Sequence, residues 1–108
     1  MADTAKDIRD VYRQGMHEIQ KILGSVNSTQ AQIDTASASL DDLTAMMLKQ
    51  TIDTVQGRTA LLSGLIVELN QVIESVKVKP PSADVIGNLT AVLDKAQGLF
   101  SEEKKDLL

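Results

Sequence analysis

The chain has 108 residues, no Cys, no Trp, one Tyr and one Phe. That length suits one domain, and the missing cysteines exclude disulfides, thiolate nucleophiles and Cys-ligated zinc. A formal net charge of −4, with basic residues scattered among acids, argues against a phosphate-tracking surface for nucleic acid or an anionic membrane.

The only prolines are adjacent, Pro80 and Pro81, and glycines number six. A core must therefore be built from Leu, Ile, Val, Ala and Met, which suits helices packed side by side and points away from an all-β fold. MADTAKDIRD at the start carries no basic segment followed by an apolar one, so no Sec-type signal is visible. The longest apolar stretch, Ala60 to Val67, is interrupted by Ser63 and Gly64 and falls short of a membrane span. A soluble, cytoplasmic protein is expected, the alternative being export without a Sec signal.

The first helix is expected over Thr4 to about Gly24. Ile8, Val11, Tyr12, Met16, Ile19, Ile22 and Leu23 form its apolar face, at the i, i+3, i+4 spacing of a helical stripe. Thr4 and Asp7 resemble a capping pair. Arg9, Arg13, His17 and Lys21 follow one another at i+4 along a polar flank, and Gly15 falls on the apolar side.

Gly24 to Thr29 admits two readings. Gly24 is a plausible C-terminal cap, with Asn27 and Gln30 opening a second helix. Against that, Ile8, Tyr12, Gly15, Ile19, Ile22, Val26, Thr29, Ile33, Ala36, Leu40, Leu43 and Met47 keep an unbroken heptad seam. The second helix is expected to reach Val55. Gln56-Gly57-Arg58 marks the next break, because the apolar phase before it does not carry over.

The third helix, near 59–77, has the broadest dry face: Leu61, Leu62, Leu65, Ile66, Leu69, Val72, Ile73 and Val76, with Val67 beside them and Glu68 expected outside the stripe. A face this wide has to be covered on more than one side. Lys79-Pro80-Pro81 then stops the helix. Ser82 is the expected N-cap of a last helix near 83–99, with Val85, Ile86, Leu89, Val92, Leu93 and Ala96 inward.

These patterns predict an all-α fold, an up-and-down four-helix bundle in residues 1–100 with its third helix most buried, and a tail, 101–108, that frays or adds one turn. The alternative is a long helical hairpin that dimerises as a coiled-coil bundle.

Chemistry is harder to find. His17, the one histidine, sits among Arg13, Glu18 and Lys21 on a polar flank and has no evident orienting partner. Asp41 and Asp42 are neighbours on a helix and point about 100° apart, a poor chelate. No nucleophile elbow, phosphate loop or nucleotide fingerprint is present. Lys79-Pro80-Pro81 lacks the further proline of a polyproline ligand. Asn27-Ser28-Thr29 and Asn88-Leu89-Thr90 match the glycosylation triplet, which chance explains; Glu103 to Leu108 resembles an acidic dileucine signal, which a frayed helix end explains as well.

No catalytic, cofactor or metal set is therefore expected. The expected function is a non-enzymatic scaffold or adaptor that binds another helical protein or itself, homo-oligomers being favoured. Ile33, Leu40, Leu43, Met47, Leu62, Ile66, Leu69 and Ile73 are the candidate interaction residues. A small exported helical protein of a specialised bacterial secretion system is an alternative, although the Trp-x-Gly turn frequent in such proteins is missing. A ligand-binding bundle is another; it would need Thr29, Gln50 and Thr51 to converge with His17 or Asp42.

Overall fold

The computed structural model describes residues 4–107. Four helices follow one another: α1 (Thr4–Gly24), α2 (Gln30–Lys49), α3 (Val55–Val76) and α4 (Val85–Lys105). Each packs antiparallel on the next, α4 returns against α1, and α1 also touches α3 across the diagonal. This is the up-and-down four-helix bundle. It is elongated, with extents of 43 × 24 × 20 Å.

The core is aliphatic. Ile8, Val11, Tyr12, Ile19 and Ile22 of α1 meet Leu61, Leu62, Leu65, Leu69, Val72 and Val76 of α3, with Leu89, Val92 and Ala96 of α4. α3 contributes most of it, as its broad stripe requires. By length and composition α3 could also cross a membrane; in this fold its apolar face is the bundle core. α2 contributes less. Its buried residues are Gln32, Ala36, Ser39 and Leu43, so it is held by close approach of small side chains more than by bulk.

The continuous heptad seam does not form. Val26 is 97% exposed, and Thr29 leaves the helical region at φ −76°, ψ 162° to cap α2. Thr29 Oγ1 accepts from Gln32 N at 3.2 Å, and Gln32 Oε1 accepts from Thr29 N at 3.0 Å, a complete capping box. The cap is thus Thr29 with Gln32, not Asn27 with Gln30. Asn27 instead donates its side-chain amide to Pro81 O at 3.3 Å, and Ser28 Oγ donates to Ile22 O at 2.6 Å, closing the end of α1.

The second break also differs from expectation. α2 stops at Lys49, and 50–54 is a loop. Thr54 caps α3, accepting from Gly57 N at 3.0 Å, so Gln56, Gly57 and Arg58 lie in the first turn of α3. Gly57 is needed there because a Cβ would overlap the Thr51 carbonyl. No sequence breaker marks this turn; a hydroxyl cap and a close backbone approach make it. At the other end α4 starts at Val85 after an Asp84 N-cap without a side-chain bond, two residues later than a Ser82 cap implies, and it continues to Lys105. The Thr4 cap falls at the edge of the described residues; what precedes Thr4 lies outside them.

Candidate functional site

The candidate interaction residues divide by burial. Leu43, Leu62 and Leu69 are fully buried and present no surface. Leu40, Ile66 and Ile73 are half-buried against the core. Ile33 is half-buried and Met47 is 47% exposed. Burial thus separates these eight, and only Met47 lines a groove, with Arg9, Arg13 and Met16 of α1. Thr29, Gln50 and Thr51 do not converge. Thr29 is a cap, Gln50 and Thr51 are exposed, and so are His17, Asp41 and Asp42.

Besides the small Ser39, three polar side chains are buried that were not expected inside. Gln32 is 3% exposed; its side-chain amide donates to Lys79 O at 2.7 Å and Ser75 O at 3.2 Å. It fastens the start of α2 to the end of α3. Glu103, 3% exposed, lies in the segment expected as a tail. Its Oε1 accepts from Arg58 Nε at 2.9 Å, and Arg58 Nη1 donates to Ile52 O at 3.1 Å. One side chain therefore joins the α2–α3 loop, the start of α3 and the end of α4.

Glu68 is the third, 6% exposed. It turns from the α3 stripe toward α2, where Ser39 and Asp42 meet it. Burial raises its carboxyl above the usual range; the Ser39 hydroxyl opposes the shift, and the charge and hydrogen bond of Asp42 add to it. Oε1 has no hydrogen-bond partner. Tyr12 reaches the same region from α1. Its hydroxyl donates to Leu61 O at 2.8 Å and touches Met46 Sδ at 3.6 Å. Burial first, then Glu68, lifts the phenol well above its ordinary range. Gly64 makes room for Met46, whose sulfur and methyl would collide with any Cβ there. The sequence did hold a signal for Glu68: Leu61, Leu65, Glu68 and Val72 are spaced 4, 3, 4, the heptad step of a buried row.

Grooves run along both flanks of α1, and a smaller depression of about 120 Å³ lies at the other end of the bundle, among Lys21, Ser25, Pro81 and Val85. Between α1 and α4, Asp7, Asp10, Val11 and Gln14 face Lys95, Gly98, Leu99 and Glu102 across about 470 Å³. The depression continues past Leu99 toward Lys105 and Asp106. Its floor is apolar, from Val11 and Leu99, and a Cβ on Gly98 would meet nothing within 4 Å. Its rim carries three carboxylates, Asp7, Asp10 and Glu102, against one cation, Lys95, which donates to Gln14 Oε1 at 3.5 Å; Lys6 also pairs with Asp10 at 3.1 Å and Lys105 with Glu102 at 3.5 Å. Such solvated pairs hold little energy. Between α1 and α2, Arg9, Arg13 and Met16 face Met47 across about 240 Å³, and Leu48 nearby is 84% exposed. The sequence order explains the contrast: Arg9 and Arg13 are one turn apart on one flank, Asp7, Asp10 and Gln14 on the other.

Among the described residues, no group of three or more acidic or histidine side chains could hold a metal ion. Comparison with protein-family models, with curated proteins and with solved structures returned no match.

Proposed function

We propose that the chain is a non-enzymatic helical interaction module whose binding face is the groove between α1 and α4. The observation that carries this reading is the pairing of an apolar floor with an acidic rim, running beside two helices. A helix laid into such a groove buries apolar anchors on Val11 and Leu99 and sets its flanking cations against Asp7, Asp10 and Glu102. The partner is thus an amphipathic protein segment with basic residues beside its apolar stripe.

Two of the interior polar groups have structural roles, which favours this over a catalytic or ligand-binding reading. Gln32 and Glu103 are engaged in joining helices, and the cavities beside α1 open onto the surface. Charge on the rim contributes mainly to partner choice and association rate, the apolar floor to residence.

An NMR titration with a Leu/Lys amphipathic peptide of about 15 residues, long enough to hold a helix once docked, tests the reading. The expected result is saturable amide shifts around Val11, Gln14, Lys95 and Leu99. The substitution Gly98→Gln, which fills open space without touching the core, should weaken binding by about tenfold or more, with helicity unchanged. Shifts scattered over the whole surface, or equal binding of a Leu/Glu peptide, would contradict it.

A further inference from the structure

We propose that the partner seated in the α1–α4 groove is a second copy of this chain, presenting the Arg9/Arg13 edge of its own α1–α2 groove. The inference rests on the reading of the α1–α4 groove as a binding face.

Charge and shape argue for it together. The groove asks for an apolar surface flanked by cations. The α1–α2 edge supplies one: Met47 is 47% exposed, and Arg9 and Arg13 stand beside Met47 and Met16. Neither arginine has an ion-pair partner among the described residues. In a chain of net charge −4, positive charge lies here next to uncovered apolar surface, as it also does at Lys77-Val78-Lys79; only the Arg9/Arg13 edge lies at the same end of the bundle as the acidic groove. Methionine also suits an interface that must adapt its shape.

Position matters as much as chemistry. Both surfaces sit at the same end of the bundle, at the start of α1, the end of α2 and the end of α4, on opposite flanks of α1. One copy can therefore dock its basic edge into the next copy's acidic groove side by side. The two surfaces differ, so the contact is heterologous: it leaves one free groove and one free edge, and it builds a ring or an open string of bundles according to the rotation per step.

Sedimentation of the full chain tests this. Mass should rise with concentration, and association should weaken by about tenfold or more between about 0.05 and about 0.5 M salt. Two charge-reversed variants, Arg9→Glu with Arg13→Glu and Asp10→Lys with Glu102→Lys, should each be monomeric. Their equal mixture should regain association, because each reversed surface then meets its complement. All four positions lie on the exposed flanks of their helices or border them, and circular dichroism verifies the fold. Met47→Ser, at a 47% exposed position outside the core cluster, provides a second variant; it should also weaken association.

A wild-type chain that stays monomeric at low salt would overturn the self-pairing. If the Leu/Lys peptide still bound the groove, the binding face would stand and the second copy would be rejected as its occupant. Association that survives both reversals, or a mixture that stays monomeric, would equally overturn the proposal.

Discussion

Replacing Arg58 by Met should destabilise the bundle far more than removing any other ion pair. The Arg58–Glu103 pair is 2.9 Å long, with side chains only 18% and 4% exposed. The other pairs are open to solvent on at least one side, where a pair contributes about 0–1 kcal/mol. Removing one partner of a fully buried pair costs about 3–5 kcal/mol, since the other charge stays buried and unpaired. Arg58 is partly wet, which lowers the figure, but it also gives up its bond to Ile52 O. The expected loss is about 2–3 kcal/mol, a large share of the roughly 5–15 kcal/mol that holds a domain. At about 4–8 °C per kcal/mol this lowers Tm by about 10–20 °C. Urea unfolding followed by circular dichroism measures it for the wild type, Arg58→Met, Glu103→Leu and the double variant. Since the Met–Leu pair strands no charge, the double variant should recover to within about 1 kcal/mol of the wild type. A loss below about 0.5 kcal/mol for Arg58→Met, or strictly additive single losses, would refute the reasoning.

Three further outcomes are expected. The raised carboxyl of Glu68 means that the folded chain holds this proton to higher pH than the unfolded chain does. Its contribution to stability therefore falls as pH rises from the ordinary Glu range, about 4.3, through the raised value, and the penalty persists above it. Glu68→Gln should be more stable than wild type at neutral pH and lose that advantage in acid; parallel stability profiles would count against it. Gly98→Ala, with open space at its Cβ, should gain about 0.4–1 kcal/mol, whereas Gly57→Ala must push the Thr51 carbonyl away and should be destabilising, both read from urea midpoints. Gln32→Ala removes the side chain that bonds Thr29, Ser75 and Lys79; at roughly 1 kcal/mol per bond it should cost about 2–3 kcal/mol by the same assay.

The pattern of apolar residues was enough to place α1 and the core face of α3, because a 3.6-residue period and a wide dry stripe leave few alternatives. The break at 50–54 was not legible. It contains neither Gly nor Pro, and it depends on Thr54 capping Gly57 and on Arg58 reaching Ile52 O and Glu103. Glu103 itself could not be distinguished from a tail residue, since its partner stands 45 positions away. Gln32 is a similar case, bonding carbonyls 43 and 47 positions on. For the candidate interaction residues, periodicity identifies apolar positions but not what covers them: Leu43, Leu62 and Leu69 are covered by the chain's own helices. The grooves were legible only as the i+4 run of Arg9 and Arg13 and the acids opposite; their apolar floors needed the packing of α1 on α2 and α4.

Amide NMR spectra of the wild-type chain, compared at low and high protein concentration in low salt, locate both halves of the self-contact in one experiment. Concentration-dependent shifts are expected in two sets at once: 7–14 with 95–102 on the acidic groove, and 9–16 with 46–48 on the basic edge, both reversed by salt. Spectra that do not change with concentration, or shifts centred on the outer face of α3 around Val67, would contradict the self-contact.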